Sequence, residues 1–264
     1  MPGRRSLQAL WVAAALAGCS GELPLIGKAP EVGPTGAALQ ADRSTVDTPN
    51  FDPFQETAPG PVTSRVVLQN PSSAEIMRAG ALPEMALGRT DAPVTIVQYA
   101  SMTCPYCRRF QAETFPQLKK EYIDTGKVRY VLRAEFPIGK QSGLATIALR
   151  CAPADKYFLL YDKLMAQQAA WVSQEVRPEP IFKVAAQVGM TRAQFDSCRE
   201  NRAMIAQLNA IKDRGRTLGI IGTPNFFIQG KLVKSVIGMQ EIRDLVEPLL
   251  AGQVAVSEET NRAR

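Results

Sequence analysis

Hydrophobic and polar positions change their spacing several times along this 264-residue chain. Behind Arg4 and Arg5 an apolar run extends from Ala9 to Gly18. It is far shorter than the ~20 residues that cross a bilayer and fits the ~7–15 of a signal-peptide core. From Ser20 to about Leu82 the apolar residues follow no period. Prolines from Pro24 to Pro71 and glycines such as Gly21, Gly33 and Gly60 break the segment throughout. Such a stretch buries too little apolar surface to offset its ordering entropy. Residues 19–82 therefore read as a flexible tether, with one short helix near Ser73 to Arg78 and a reach on the order of 40 Å as a coil.

Regular periods begin at Pro83. Val94-Thr95-Ile96-Val97-Gln98-Tyr99 is rich in β-branched and aromatic residues between turn formers, and predicts a buried strand. After Cys104 the spacing becomes helical, with Cys107, Phe110, Leu118 and Tyr122 near one face and Pro116 placed to kink it. Val128 to Ala134 alternates and predicts a second strand with Val128, Tyr130 and Leu132 on one side. Helical segments follow over Ser142 to Cys151, Lys156 to Gln168, Pro180 to Val188, Arg192 to Cys198 and Arg202 to Leu218. Asn225 to Ile228 and Leu232 to Val236 flank Gln229-Gly230-Lys231 as a hairpin. Ile242, Leu245, Val246 and Leu249 then mark a last helix before a polar tail over 252–264 that frays from Ser257. The order predicts one α/β domain over 83–251, with a helical block at about 139–218 between the second strand and the hairpin.

With 45% hydrophobic residues, the chain can bury one good-sized core. Its net charge of +6 includes Arg4 and Arg5, and no basic run marks a nucleic-acid surface, so no nucleic-acid partner is expected. The chain has no histidine, which excludes imidazole metal sites, Ser-His-Asp triads and Cys-His pairs. Attention passes to five cysteines, Cys19, Cys104, Cys107, Cys151 and Cys198. An odd number leaves one in need of its own explanation.

Leu16-Ala17-Gly18-Cys19 resembles the lipobox of bacterial lipoproteins. The resemblance implies that residues 1–18 are a signal peptide removed before Cys19, and that Cys19 is lipidated with more than one acyl chain, as stable anchoring requires. Ser20 resembles signals for outer-membrane sorting. Ordinary cleavage after a small residue, leaving Cys19 a free thiol, is the alternative.

Cys104-Pro105-Tyr106-Cys107 opens the first predicted helix. Unpaired N–H groups and the helix dipole favour a thiolate at Cys104. Cys104 is thus the expected exposed nucleophile, and Cys107, one turn inward, the shielded resolving thiol. Pro105 suits an early helical position, and Tyr106 carries no charge. Arg108 and Arg109 oppose the dipole yet favour a nearby thiolate, so their net effect stays open. The alternatives are a structural bridge or half of a zinc site. Zinc would need Cys151 and Cys198 as well, and their spacing follows no finger or ribbon pattern, so neither metal nor other cofactor is expected.

Three segments, Gly88-Arg89-Thr90-Asp91-Ala92-Pro93-Val94-Thr95-Ile96-Val97, Cys104-Pro105-Tyr106-Cys107 and Gly222-Thr223-Pro224-Asn225-Phe226-Phe227, together resemble the bacterial disulfide-bond A (DsbA) oxidoreductase family. The resemblance covers about Pro83 to Leu250. It implies a thioredoxin-like fold in which the helical block is an insertion. It also implies a cis peptide at Thr223-Pro224 beside the cysteines, with Thr223 facing the substrate; an ordinary trans turn is the alternative. Two positions depart from the family's pattern. Tyr106 stands where the best-known members carry histidine, which implies a less oxidising pair. Gln98 stands where many relatives carry a buried glutamate, so proton movement at Cys107 must use water or another group.

The resemblance implies an oxidase of the periplasm that takes reduced exported proteins as substrates and is reoxidised by a DsbB-like membrane partner; the lipobox adds an anchor through Cys19, and a monomer is expected. Two alternatives stand beside it. One is an isomerase or reductase of the same fold, which Tyr106 and Thr223 favour. The other is a non-catalytic binding lipoprotein whose Cys104 and Cys107 stay bridged. Cys151 and Cys198 lie among apolar residues of the helical block, and in an oxidising compartment they are expected to form a structural disulfide. Two packed thiols or a second redox pair are the alternatives. Tyr157, Phe158, Tyr161 and Trp171 are expected to pack the helices.

Overall fold

A computed structural model describes residues 67–262 apart from 69, 79 and 81, with side chains as far as residue 253. The signal segment, Cys19 and the tether up to residue 66 lie outside the described residues. Strands β1 (Ala86–Leu87), β2 (Val94–Tyr99), β3 (Val128–Arg133), β4 (Asn225–Ile228) and β5 (Lys231–Val233) form one sheet in the order β1-β3-β2-β4-β5. The central strand β2 runs parallel to β3, with Gln98 opposite Leu132, and antiparallel to β4, with Gln98 opposite Phe226.

Both faces of β2 are covered, which is why it reads as a nearly continuous apolar run. Alternation sends Val94 and Ile96 into the larger core with Tyr130, Leu132 and Phe226. Val97 and Tyr99 point the other way, into a smaller cluster with Val131, Phe136 and Phe227. The larger core lies under α2 (Pro105–Glu113), α3 (Phe115–Leu118), α10 (Met239–Arg262) and an insertion that includes α4 (Lys140–Cys151), α5 (Tyr157–Ala166), α6 (Gln168–Trp171), α7 (Pro178–Ala186) and α8 (Arg192–Arg199). The smaller cluster takes Ile76 from α1 (Ser73–Met77) and Leu218 from the end of α9 (Arg202–Thr217). A Cβ at Gly215 would meet Tyr99 at 2.8 Å and Phe136 at 3.1 Å, so this glycine lets α9 lie against the sheet.

The architecture is the thioredoxin-like α/β fold with a helical insertion, and several boundaries differ from those expected. The described residues between 67 and 82 do not continue the tether. Leu68 N–H donates to Thr217 O at 2.8 Å, Ile76 is buried, and Ser72 and Glu75 cap α1 reciprocally. The two-residue edge strand β1, too short to show alternation, was not foreseen. The helix after Cys104 stops at Glu113. Pro116 restarts it within the first turn of α3, where its missing N–H costs nothing, and Tyr122 falls in a π-helical stretch, Lys119–Ile123. Gln229 and Gly230, with φ of 45° and 89°, form the hairpin turn. The second hairpin strand ends at Val233 instead of Val236, because Phe226, its partner there, is followed outward only by Asn225 at the start of β4. At the C-terminus the polar segment expected as a tail continues α10 to Arg262. Ile242 and Val246, both fully buried, anchor the helix, and extension from a formed helix is easy.

Two links brace the insertion. Cys151, the last residue of α4, is joined by a disulfide to Cys198 in α8, with Cα atoms 6.2 Å apart. Glu135, fully buried just after β3, pairs with Arg150 of α4 and accepts from the Tyr157 hydroxyl at 3.3 Å.

Candidate active site

Cys104 is the N-cap of α2, in extended conformation, and Pro105 is the first helical residue. The Cys104 sulfur accepts the Cys107 N–H at 3.3 Å, the bond that a serine or aspartate oxygen makes in other N-caps. The Cys104 thiol donates to the Thr223 carbonyl oxygen at 3.2 Å. Thr223-Pro224 is a cis peptide directly before β4. Asn225 pairs with Tyr99 at the end of β2, so antiparallel pairing of the two strands carries Thr223 to Cys104 across 119 positions of chain.

Cys104 and Cys107 are both free thiols with opposite electrostatics. The Cys107 thiol, the Thr223 hydroxyl and the backbone N–H groups of Cys107 and Tyr106 together outweigh burial and bring Cys104 down to about 6. Burial, followed by the neighbouring Cys104, pushes Cys107 well above the ordinary thiol range. At neutral pH the first cysteine is therefore mostly thiolate and the second a thiol. The Thr223 hydroxyl makes no hydrogen bond among the described residues, yet acts on both sulfurs toward ionisation.

Cys104 is more covered than the sequence implied, at 7% exposure. The exposed surface beside it belongs to Tyr106 and Ile221, at 58% and 87%. These two, with Thr223, Pro224, Lys234 and Val236, border an open groove of about 410 Å³. Arg109 pairs with Glu113 at 2.9 Å, which occupies its charge away from the sulfurs. Gln98 is fully buried below the site. Its Oε1 accepts from the Tyr130 hydroxyl, and its Nε2 has no partner among the described residues. Tyr157, Tyr161 and Trp171 are buried in the core with Phe158 packed against it. No group of acidic or cysteine side chains among the described residues is arranged to hold a metal.

Four polar residues that hold the β2–α2 turn were not singled out from the sequence. The Ser101 and Ser142 hydroxyls meet at 2.8 Å, and Ser101 Oγ accepts the Ile138 N–H at 3.1 Å. Thr103 Oγ1 donates to Ile138 O at 3.2 Å. Gln168 Nε2 donates to the carbonyls of Met102 and Cys104, at 2.8 and 3.1 Å. The available signal was weak: Gln168 is a polar residue at core spacing, between Leu164 and Trp171.

Comparison with known proteins places this geometry. A thioredoxin family model matches residues 81–248. The "Putative protein-disulfide oxidoreductase" of Rickettsia bellii (strain RML369-C) is 34% identical over 152 residues, 56% of this chain and 57% of the relative. The chain thus spans little more than half the length of the Rickettsia relatives it matches. The oxidised crystal structure of BdbD from Bacillus subtilis is similar with a TM-score of 0.55 at 26% identity, over 64% of this chain and 93% of that one. Wolbachia pipientis alpha-DsbA1 gives a TM-score of 0.60 at 24% identity, over 66% of this chain and 96% of that one, a likeness of fold.

Proposed function

We propose, from the premise that this chain belongs to the thioredoxin family and is built as its DsbA-type members are, that it is a thiol-disulfide oxidoreductase forming disulfides in exported proteins through Cys104 and Cys107. The observation that carries this is the Cys104 sulfur, held under the Cys107 N–H at the start of α2 and against Thr223. In the oxidised form a substrate thiolate attacks Cys104 Sγ. The Cys104–Cys107 bond breaks, and Cys107 departs with the electron pair and takes up a proton, the form its raised affinity favours. A second substrate thiolate then attacks the substrate sulfur of the mixed disulfide. Cys104 leaves as the thiolate that its surroundings stabilise, a good leaving group. The substrate loses two electrons and the cysteine pair gains them. Reoxidation passes those electrons on to a DsbB-like membrane partner, which re-forms the Cys104–Cys107 bond.

The setting that supports this direction is the N-terminal sequence. A signal-like run ending in Cys19 fits a lipid-anchored monomer of the periplasm, with Ser20 favouring the outer membrane. No helix among the described residues is long and apolar enough to cross a membrane. Tyr106 in place of histidine favours the second reading, a reductase or isomerase on the same site. Oxidative refolding of a reduced test protein, compared with rescue of a scrambled-disulfide one, separates the two. The oxidase reading expects the first assay to respond strongly and the second weakly. A Cys104→Ala chain that refolds the reduced protein as well as the parent would overturn both, leaving the binding-lipoprotein reading.

A further inference from the structure

Gln168 opens α6 and is 5% exposed, between the fully buried Leu164 and Trp171. A polar side chain at such a position is costly unless its hydrogen bonds are made. Its amide nitrogen has two hydrogens to donate, and its oxygen acceptors include the carbonyls of Met102 and Cys104. Both belong to the turn between β2 and α2, outside the helical insertion that Gln168 comes from. The Cys104 carbonyl also accepts the Arg108 N–H at 3.1 Å, so both of its lone pairs are engaged.

We propose that Gln168 is a positioning residue for Cys104: its amide holds the Met102 and Cys104 carbonyls toward the helical insertion, so that the start of α2 keeps the Cys107 N–H on the sulfur. The proposal rests on the reading of Cys104 as the attacking thiolate. A peptide carbonyl turned toward a thiolate opposes it, whereas N–H groups stabilise it; Thr223 already presents one carbonyl to the sulfur at 3.2 Å, and the Gln168 amide keeps the Met102 and Cys104 carbonyls from adding to it. Gln168 grips this turn from α6. Ser142 and Ile138 grip it at Ser101 and Thr103 from the start of the insertion, and Ser101 O in turn accepts the Cys104 N–H at 3.1 Å. The insertion thus acts on the sulfur through the backbone, without placing a charge beside it. Tyr106 and Cys107 on α2, and Thr223 before β4, are the other groups that set the ionisation of the sulfur.

The test is the pH dependence of Cys104 alkylation by iodoacetamide in the reduced full chain. Gln168→Met keeps the length and the packing against Met165 while removing both donors. The midpoint is expected to rise by about half to one unit, the size of one lost hydrogen bond, with melting behaviour showing the fold retained. Should Gln168→Met fail to fold, Gln168→Leu, which is uncharged and carries no donor, is expected to shift the midpoint in the same direction. An unmoved midpoint in a folded variant, even one with lowered thermal stability, assigns Gln168 to packing alone and overturns the proposal. Alkylation needs no protein substrate. The midpoint can therefore move even if Cys104→Ala leaves refolding unchanged, which would sink the oxidase reading and spare this one.

Discussion

Cys104 and Cys107 stand on the first turn of one helix, whereas Cys151 and Cys198 stand 47 positions apart on two. The ends of the helices differ as well. Cys104 caps the N-terminus of α2, under donated N–H groups. Cys151 is the last residue of α4 and Cys198 the last but one of α8, where free carbonyls and the negative end of the dipole disfavour a thiolate. A sulfur that ionises easily attacks and leaves easily, and one that does not keeps its bridge. The two pairs show how the same side chain becomes reactive or structural through the helix end it occupies.

The largest test of that contrast is removal of the nucleophile. Cys104→Ala is expected to abolish disulfide exchange, while in Cys107→Ala the Cys104 thiolate should still attack substrate disulfides and accumulate mixed disulfides visible on non-reducing gels. A Cys104→Ala protein that still exchanges would show that the N-terminal position of α2 confers nothing.

The second test concerns the other pair. Cys151→Ala with Cys198→Ala opens a loop whose closure is worth about 4 kcal/mol in the chain-entropy model, measurable by urea unfolding. The alkylation midpoint of Cys104 should not move. In a dithiothreitol titration the Cys104–Cys107 bridge should reduce well before Cys151–Cys198; the reverse order would overturn the helix-end argument.

The pH test is gentler. Because the folded state lowers the Cys104 pKa to about 6, the reduced form gains stability that is fully present above the unfolded thiol value, near 8.5. That gain is lost as pH falls through about 6. The oxidised form has no such titration. The melting temperature of the reduced protein should therefore fall relative to the oxidised one between pH 8 and pH 5, by calorimetry. A constant difference would mean that Cys104 is not a thiolate at neutral pH.

The contrast between the pairs also marks how much the sequence disclosed. The Cys-Pro-Tyr-Cys spacing, the helical period after it and the strand before it were enough to place Cys104 at a helix start. The Thr223-Pro224 segment became part of the site only through resemblance, since a contact across 119 positions leaves no local pattern. Gln168 and Ser142 were not visible for a related reason: Gln168 is a lone polar residue at core spacing, Ser142 shares its buried face of α4 with Thr146, and the meaning of each depends on a backbone that sequence spacing does not locate. The packing of Ile76 was missed because five helical residues among prolines carry too short a period to outweigh the composition around them.

The smallest effect separates stability from chemistry within the insertion. Thr191 caps α8, accepting the Gln194 N–H at 3.2 Å, while the Gln194 side chain accepts the Thr191 N–H at 2.8 Å. Thr191→Ala is expected to cost about 1 kcal/mol, read as a lower urea midpoint. The helix it loosens carries Cys198, which the disulfide still ties to α4, so local fraying should not reach Gln168 or the turn it holds. Cys104 alkylation should therefore keep its midpoint near 6. A shift with Thr191→Ala as large as with Gln168→Met would mean that the insertion acts on Cys104 through its overall rigidity, and the contact at Gln168 would lose its special standing.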